Sequence, residues 1–276
     1  TSAKVLGNAT LQCTGPYDTQ YVKVDAYAVY TNNVPSGAFR GFGGPQGAFA
    51  AESQVNKLAD KLGIDPVKMR KVNLISDGTI GQFNHVYPKG VTIRQVVDEC
   101  ERRSEWPTIS ISDNDDINIR KGHGFACALK NIGFSFGFPE ECWAKVEIHG
   151  GSEIESVVLH HAAADCGQGA HTAFVQMVAE ACGVSIDMVR LGDADSSMTK
   201  NSGSASATRL TFMAGNSIKG AVDLALKNWM SEERPAIGEY RFVPRETTAL
   251  DPHTGECDPN ITYGYVAQSV SVEVDI

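Results

Sequence analysis

Residues 20–31 of this chain (Gln-Tyr-Val-Lys-Val-Asp-Ala-Tyr-Ala-Val-Tyr-Thr) alternate with period two, a pattern that predicts a strand. The opening residues also lead into mixed, strand-like sequence. From Pro45 the period lengthens. Phe49, Val55, Leu58, Ala59 and Leu62 recur at helical spacing, Pro45 suits the first turn of that helix, and Gly63 suits its end. Asp65-Pro66 opens a second helix carrying Val67, Met69, Val72 and Leu74. Thr92, with Gln95 three residues on, predicts a capping box ahead of Val96, Val97 and Cys100. Residues 103–121 are polar and tolerant of disorder, and read as a boundary or surface linker. Their centre, Asp113-Asn114-Asp115-Asp116, lacks the glycine and distal glutamate of a calcium loop.

Beyond that linker the pattern predicts strands at 124–129 and 142–148, then a hairpin turn at Gly150-Gly151-Ser152 and a partner strand at 155–162. A helix at 171–182, a short strand at 188–191, a helix at 212–230 and an alternating strand at 265–276 follow. Strands and helices in this order, without regular βαβ alternation or internal repeats, predict an α+β fold. Its sheets are expected to be mixed or antiparallel and partly covered by helices. Two lobes are expected, at 1–105 and 118–276. The chain begins without methionine and stops inside an alternating strand, which reads as truncation at both ends.

Composition narrows the function classes. A net charge of −9 and the lack of any long basic block argue against nucleic acid, whose phosphates recruit basic surfaces. No apolar run reaches the ~20 residues that span a bilayer, so no membrane role is expected. The seven cysteines (13, 100, 127, 142, 166, 182 and 257) are odd in number, widely spread, and contain no C-x-x-C pair. That usage fits reduced thiols of a cytoplasmic protein better than a disulfide framework or a metal ligand set.

Three loops carry candidate chemistry. The first, Ala38-Phe39-Arg40-Gly41-Phe42-Gly43-Gly44-Pro45-Gln46, has three glycines in four residues, which permit close approach and positive φ; its arginine and two phenylalanines exceed the needs of a turn. The second, Asp165-Cys166-Gly167-Gln168-Gly169-Ala170-His171-Thr172, joins a strand to a helix, where free amides and the helix dipole favour anions. The third, Asn201-Ser202-Gly203-Ser204-Ala205-Ser206-Ala207-Thr208-Arg209, is almost wholly small or short polar. It reads as an ordered ligand-contacting run or as a linker. An aromatic stretch, Asn131-Ile132-Gly133-Phe134-Ser135-Phe136-Gly137-Phe138, lies between the first two loops; alternating phenylalanines of this kind are commonly core. No P-loop spacing occurs. Adjacent His160 and His161 would point to opposite faces of a strand, and His171 suits hydrogen bonding at a helix start better than metal ligation.

These segments, in this order, resemble the molybdenum-binding subunit of the xanthine dehydrogenase and aldehyde oxidase family over essentially the whole chain. The resemblance implies two lobes that bind molybdenum–molybdopterin, as such or as its cytosine dinucleotide, with 2Fe-2S clusters and FAD on partner domains or subunits. It implies oxidation of an N-heterocycle or aldehyde with water-derived oxygen. By the same resemblance Arg40, Gly41, Cys166, Gly167, Gln168, Ala207 and Thr208 contact the cofactor, with the backbone of Arg40 and Ala207 near molybdenum. Phe42, Phe136 and Gly137 face substrate, and the two rings tilt the expectation toward a flat heterocycle. Besides the rest of the molybdenum subunit, the implied partners are the iron–sulfur and flavin units.

The match is incomplete. The family's base is a glutamate in a G-x-G-E-P-like segment that is absent here, so no catalytic residue is assigned; Gly238-Glu239 and Gly255-Glu256 are its nearest imitations. The upstream glycine-rich loop is also absent, and no arginine occurs near Gly7-Asn8-Ala9, where the family places one for substrate. A non-catalytic cofactor-binding subunit of a split enzyme and a nucleotide-binding α+β enzyme are the alternatives. The chain expressed alone is expected to show no hydroxylase turnover in an assay with added cofactor; robust turnover would overturn the reading.

Overall fold

The computed structural model describes residues 2–35, 37–106, 118–193 and 195–276. It divides into two compact units: residues 1–131 with 250–276, and residues 132–249. The first unit is therefore discontinuous in sequence. The acidic run at 113–116 lies outside the described residues.

In the first unit, helix α1 (Ser2–Gln12) occupies a region expected to be strand-like, and residues 20–31 form no strand. Alternation marks a chain that can pair, and among the described residues nothing pairs with this stretch; Tyr21, Tyr27, Val29 and Tyr30 are exposed. Helix α2 (Gly44–Leu62) has Pro45 in its first turn and ends on Gly63 in a left-handed conformation. Its buried residues are Gly44, Gly47, Glu52 and Ala59, whereas Phe49, Leu58 and Leu62 are exposed, so only Ala59 of the predicted apolar face is fully buried. Helix α3 (Pro66–Asn73) begins as predicted, with the Asp65 carboxylate accepting from the amides of Val67 at 2.9 Å and Lys68 at 2.8 Å. Helix α4 (Ile93–Arg103) begins after Thr92, whose side chain makes no capping hydrogen bond; the predicted capping box is not formed.

Strands β1 (Ile119–Ile132) and β6 (Thr262–Asp275) pair as a two-stranded sheet. Phe125, Cys127 and Leu129 of β1 pack with Val67, Leu74, Ile75, Tyr87, Ile93 and Val97 in one core. Beside that core Arg70 is buried with Glu52. Arg70 Nε donates to the Glu52 carboxylate at 2.8 Å, and its remaining nitrogens donate to Pro66 O and Asn56 Oδ1, both at 2.9 Å. Glu52 also accepts the Cys127 amide at 2.8 Å and the Tyr17 hydroxyl. Both oxygens of the Glu52 carboxylate and all three nitrogens of the Arg70 guanidinium are thus engaged.

The second unit is a four-stranded sheet in the order β4-β3-β2-β5, formed by β2 (Cys142–Gly150), β3 (Ile154–His160), β4 (Val189–Leu191) and β5 (Ala236–Phe242). β2 pairs antiparallel with β3 and β5, while β4 joins β3 in parallel, giving the mixed sheet expected. The register sets Val146 against Leu159 and Ile148 against Val157, so one face is apolar. Helices α5 (Ala170–Cys182) and α6 (Thr208–Met230) contribute to the same core, α6 through Leu210, Met213, Ala214, Ile218, Ala221, Val222 and Ala225 at three- and four-residue spacing.

Removing one partner of the Glu52–Arg70 pair should destabilise the first unit by about 3–5 kcal/mol, because an uncompensated charge stays buried. Urea unfolding of Glu52→Ala tests this. The double variant Glu52→Leu/Arg70→Met should lose clearly less, and a double variant as unstable as the single one would refute the account.

Candidate cofactor-binding loops

In the first unit the arginine–glycine loop is a turn stacked on α1. The Phe42 amide donates to Phe39 O at 2.6 Å, the Gly43 amide to Gln46 Oε1 at 2.9 Å, and Asn8 Nδ2 to Phe42 O at 3.2 Å. A Cβ on Gly43 would lie 2.1 Å from Val5 O, and one on Gly44 would lie 2.5 Å from Gln12 Oε1. Two of the loop's three glycines therefore admit helix α1. Arg40 is exposed, Gly41 has φ 83°, and Phe42 is half-buried.

The second loop, in the second unit, has a different electrostatic character from the one its sequence suggests. The Asp165 carboxylate accepts from the amides of Gly167 at 2.9 Å, Gly169 at 3.2 Å and His171 at 3.0 Å. Gln168 Oε1 accepts the Cys166 amide at 2.7 Å, and its amide group donates to Ala164 O at 3.0 Å. The expected free amides are thus occupied by the chain's own carboxylate. The His171 amide, followed by that of Gly167, holds the Asp165 carboxyl below its ordinary range. Cys166, Gly167 and Gln168 are exposed, and a Cβ on Gly167 would meet nothing within 4 Å.

Two histidines brace the root of this loop. His161 Nδ1 accepts the Ala163 amide at 3.0 Å, leaving its proton on Nε2, which lies 3.5 Å from Cys142 Sγ. His171 Nε2 donates to Ala163 O at 2.8 Å. Burial, reinforced by the nearby His171, pushes His161 down to about 4. His160 turns the other way, with Nε2 3.2 Å from Glu147 Oε1. Among the described residues no group of three or more His, Cys, Asp or Glu is arranged to hold a metal ion.

The third loop is ordered around Arg209. Its guanidinium donates to Glu140 Oε2 at 2.6 Å, Ser204 O at 2.7 Å, Glu141 O at 3.1 Å and Ser202 O at 3.3 Å. A Cβ on Gly203 would fall 2.0 Å from this group, so only glycine fits there. Ser202 Oγ accepts the Ala162 amide at 3.1 Å, tying the loop to the end of β3. Ala207 precedes α6 with φ 48° and ψ −136°, while Ala207 and Thr208 are both exposed. The aromatic stretch leaves the strand at Ile132. Phe134 and Phe138 pack together with centroids 4.7 Å apart, and Phe136 has φ 61°. The Gly137 amide donates to Thr247 Oγ1 at 2.9 Å. Conformations such as those of Phe136 and Ala207 cost about 1–3 kcal/mol each and persist only where surrounding contacts enforce them.

The two glycine–glutamate pairs do structural work. Glu239 accepts the Trp143 indole N–H at 2.7 Å and pairs with Lys200, while Glu256 accepts Asn84 Nδ2 at 2.7 Å. Glu140 and Asp165 escape a reading of the sequence alone. Asp165 carries a local signal, an aspartate two residues before a glycine. Glu140 carries none that points to Arg209, which lies 69 residues away.

His161 gives this unit an acid-sensitive component. Its folded pKa lies below the ordinary 6.5, so its contribution is complete above that pH and is lost as the pH falls toward 4. The loss should reach at most about 3 kcal/mol. Urea midpoints at pH 7 and pH 4.5, compared between the unmodified chain and His161→Asn, measure it: the variant should show the smaller acid shift, and equal shifts would exclude His161 as the source.

No helix among the described residues is long and apolar enough to cross a membrane. The chain is 29% identical over 225 residues to xanthine dehydrogenase/oxidase of Gallus gallus, covering 81% of this chain and 16% of that protein. It is 27% identical over 267 residues to aldehyde oxidoreductase of Megalodesulfovibrio gigas, covering 90% of this chain and 28% of that protein. The aldehyde oxidoreductase structure from Desulfovibrio desulfuricans superposes with a TM-score of 0.83 at 23% identity, over 99% of this chain and 31% of that one; it shares the fold. The chain thus spans less than a third of the length of each of these relatives. Two family models, each described as a molybdopterin cofactor-binding domain, match residues 1–74 and 97–236. The second alone covers half of the sequence, and the chain belongs to the molybdopterin cofactor-binding domain family.

Proposed function

We propose that this chain supplies part of the cofactor cradle of a molybdenum hydroxylase that oxidises an N-heterocycle or an aldehyde. One observation carries the reading. Among the described residues, five non-glycine residues have positive φ, and two of them, Phe136 and Ala207, are residues that the family resemblance singles out for substrate and cofactor. Strain of this kind gathers where a backbone must present itself to a ligand.

The loops fit such a group. Gly167 leaves open space, Cys166 and Gln168 are exposed, and Ala207 and Thr208 are exposed at the start of α6. When bound, molybdenum–molybdopterin supplies the redox centre and the activated oxygen. The protein's task is then to bind and orient. By the family resemblance, the backbone of Arg40 and Gly41 and the residues Cys166, Gly167, Gln168, Ala207 and Thr208 are the cofactor contacts. Because Asp165 already takes the amides of Gly167, Gly169 and His171, the helix terminus on this loop is closed to anionic groups of the cofactor. Phe42 and Phe136 supply rings for a flat substrate, and Gly137, at φ 79° with the backbone of Thr248 and Ala249 packed against it, fixes the chain beside the second ring.

The remaining cradle, the base, the 2Fe-2S clusters and FAD would come from polypeptide outside these 276 residues, in the same or partner subunits. The names of the relatives, xanthine dehydrogenase and aldehyde oxidoreductase, support both substrate classes. The seven free cysteines support a cytoplasmic setting.

Molybdenum by elemental analysis and pterin by fluorescence after oxidation test the proposal. The chain alone is compared with the chain co-produced with its flanking sequence or partner subunits. Near-stoichiometric molybdenum in the completed assembly only is the expected result. Its absence from both preparations would discard the reading.

A further inference from the structure

Glu140 and Arg209 are buried, with side chains 3% and 4% exposed, yet neither directs its hydrogen bonds into the core. Glu140 Oε1 accepts the Phe134 amide at 2.8 Å, two residues before Phe136. Glu140 Oε2 accepts Arg209 Nε at 2.6 Å. The terminal nitrogens of Arg209 then end on the carbonyls of Ser202, Ser204 and Glu141. One carboxylate therefore grips the aromatic segment, and the guanidinium it holds grips the small-residue loop. These are the two segments of the second unit that carry the strained residues Phe136 and Ala207.

A buried ion pair is weak as a source of stability and strong as a geometric constraint, because its fork fixes several acceptors at once. Arginine is suited to this and lysine is not, since an ammonium presents no planar fork. Gly203 fits the same account, its missing Cβ being the space that the guanidinium fills.

We propose that Glu140 and Arg209 are positioning residues that couple the substrate-facing segment 133–138 to the cofactor-facing segment 202–208, so that neither can shift without the other. The assignment of those faces rests on the function proposed above; the coupling itself does not.

Amide hydrogen exchange on the full chain tests the coupling. In Arg209→Lys, exchange should accelerate about tenfold or more, the factor that loss of one charged hydrogen bond brings, in 202–208 and also at Phe134. The effect at Phe134 is the diagnostic one, because Arg209 reaches it only through Glu140. Glu140→Gln should loosen the same two segments. In both variants β2 and β3 should keep their protection. Acceleration confined to the segment that each altered side chain touches directly would overturn the proposal. Should either variant unfold the whole unit, Glu140→Asp supplies the same comparison, since it shortens the reach to Phe134 and Arg209 while keeping the charge.

A second arm uses the molybdenum-loaded assembly. Arg209→Lys should lower molybdenum occupancy and also raise KM for a flat heterocycle per loaded site, about tenfold. Reduced occupancy with unchanged KM would overturn the coupling. An unmodified assembly lacking molybdenum would overturn the cofactor reading alone, and the exchange experiment would still decide whether the segments are coupled.

Discussion

An arginine taken out of water must place every donor of its guanidinium, and each unit of this chain is organised around meeting that demand once. In the first unit Arg70 is satisfied by Glu52, Asn56 and Pro66, and Glu52 in turn takes the Cys127 amide and the Tyr17 hydroxyl. The result binds two helices, a strand and the segment after α1 to one point. In the second unit the equivalent pair bonds outward, to loop backbone. The same chemistry thus cements elements in one unit and shapes loops in the other. The difference lies in what surrounds the carboxylate: a helix, a strand and a phenol for Glu52, a loop amide for Glu140.

The strain at Phe136 and Ala207 follows from that arrangement. A non-glycine residue at positive φ relaxes unless its neighbours are fixed on both sides. Phe136 sits between the Phe134 amide, held by Glu140, and the Gly137 amide, held by Thr247. Ala207 sits between Ser204, whose carbonyl Arg209 holds, and the first turn of α6, to which Arg209 itself belongs. In each case the constraint reaches the residue from both directions along the chain. The small-residue run, which composition left open as a linker or an ordered contact, is therefore held in place by the Arg209 guanidinium and by Ser202.

How far the sequence revealed this depends on whether a signal was local. The α3 cap, the hairpin of β2 and β3, and the stripe along α6 are written in neighbouring residues and were legible. Residues 20–31 show the opposite case: alternation advertises pairing, but a strand exists only with a partner. Helix α1 was illegible because Gly7, Asn8 and Thr10 are weak helix formers, and its place is fixed by packing on Gly43 and Gly44. On α2 the apolar pattern misled, since the buried face includes Glu52, whose burial depends on an arginine eighteen residues away. The loops were found from glycine and small-residue content, but Glu140 was not, because no short-range pattern connects it to Arg209.

The second loop carries the most chemical consequence of these differences. A glycine-bearing strand–helix junction would ordinarily offer its amides and its dipole to an anion. Here Asp165 occupies that position from within, and the three amides that hold it also keep it ionised. A second anion at the same point would meet a carboxylate, and like charges at such a distance repel. On the function proposed above, contact with this loop then falls to the exposed surface of residues 166–168 and the open space at Gly167. Such a surface favours a ligand that brings hydrogen-bond donors as well as acceptors. A fused pterin ring has both along its edges, whereas a bare phosphate has acceptors alone. The internal carboxylate therefore weighs against a simple phosphate-binding loop and, on the function proposed above, toward contact with the heterocyclic part of the cofactor.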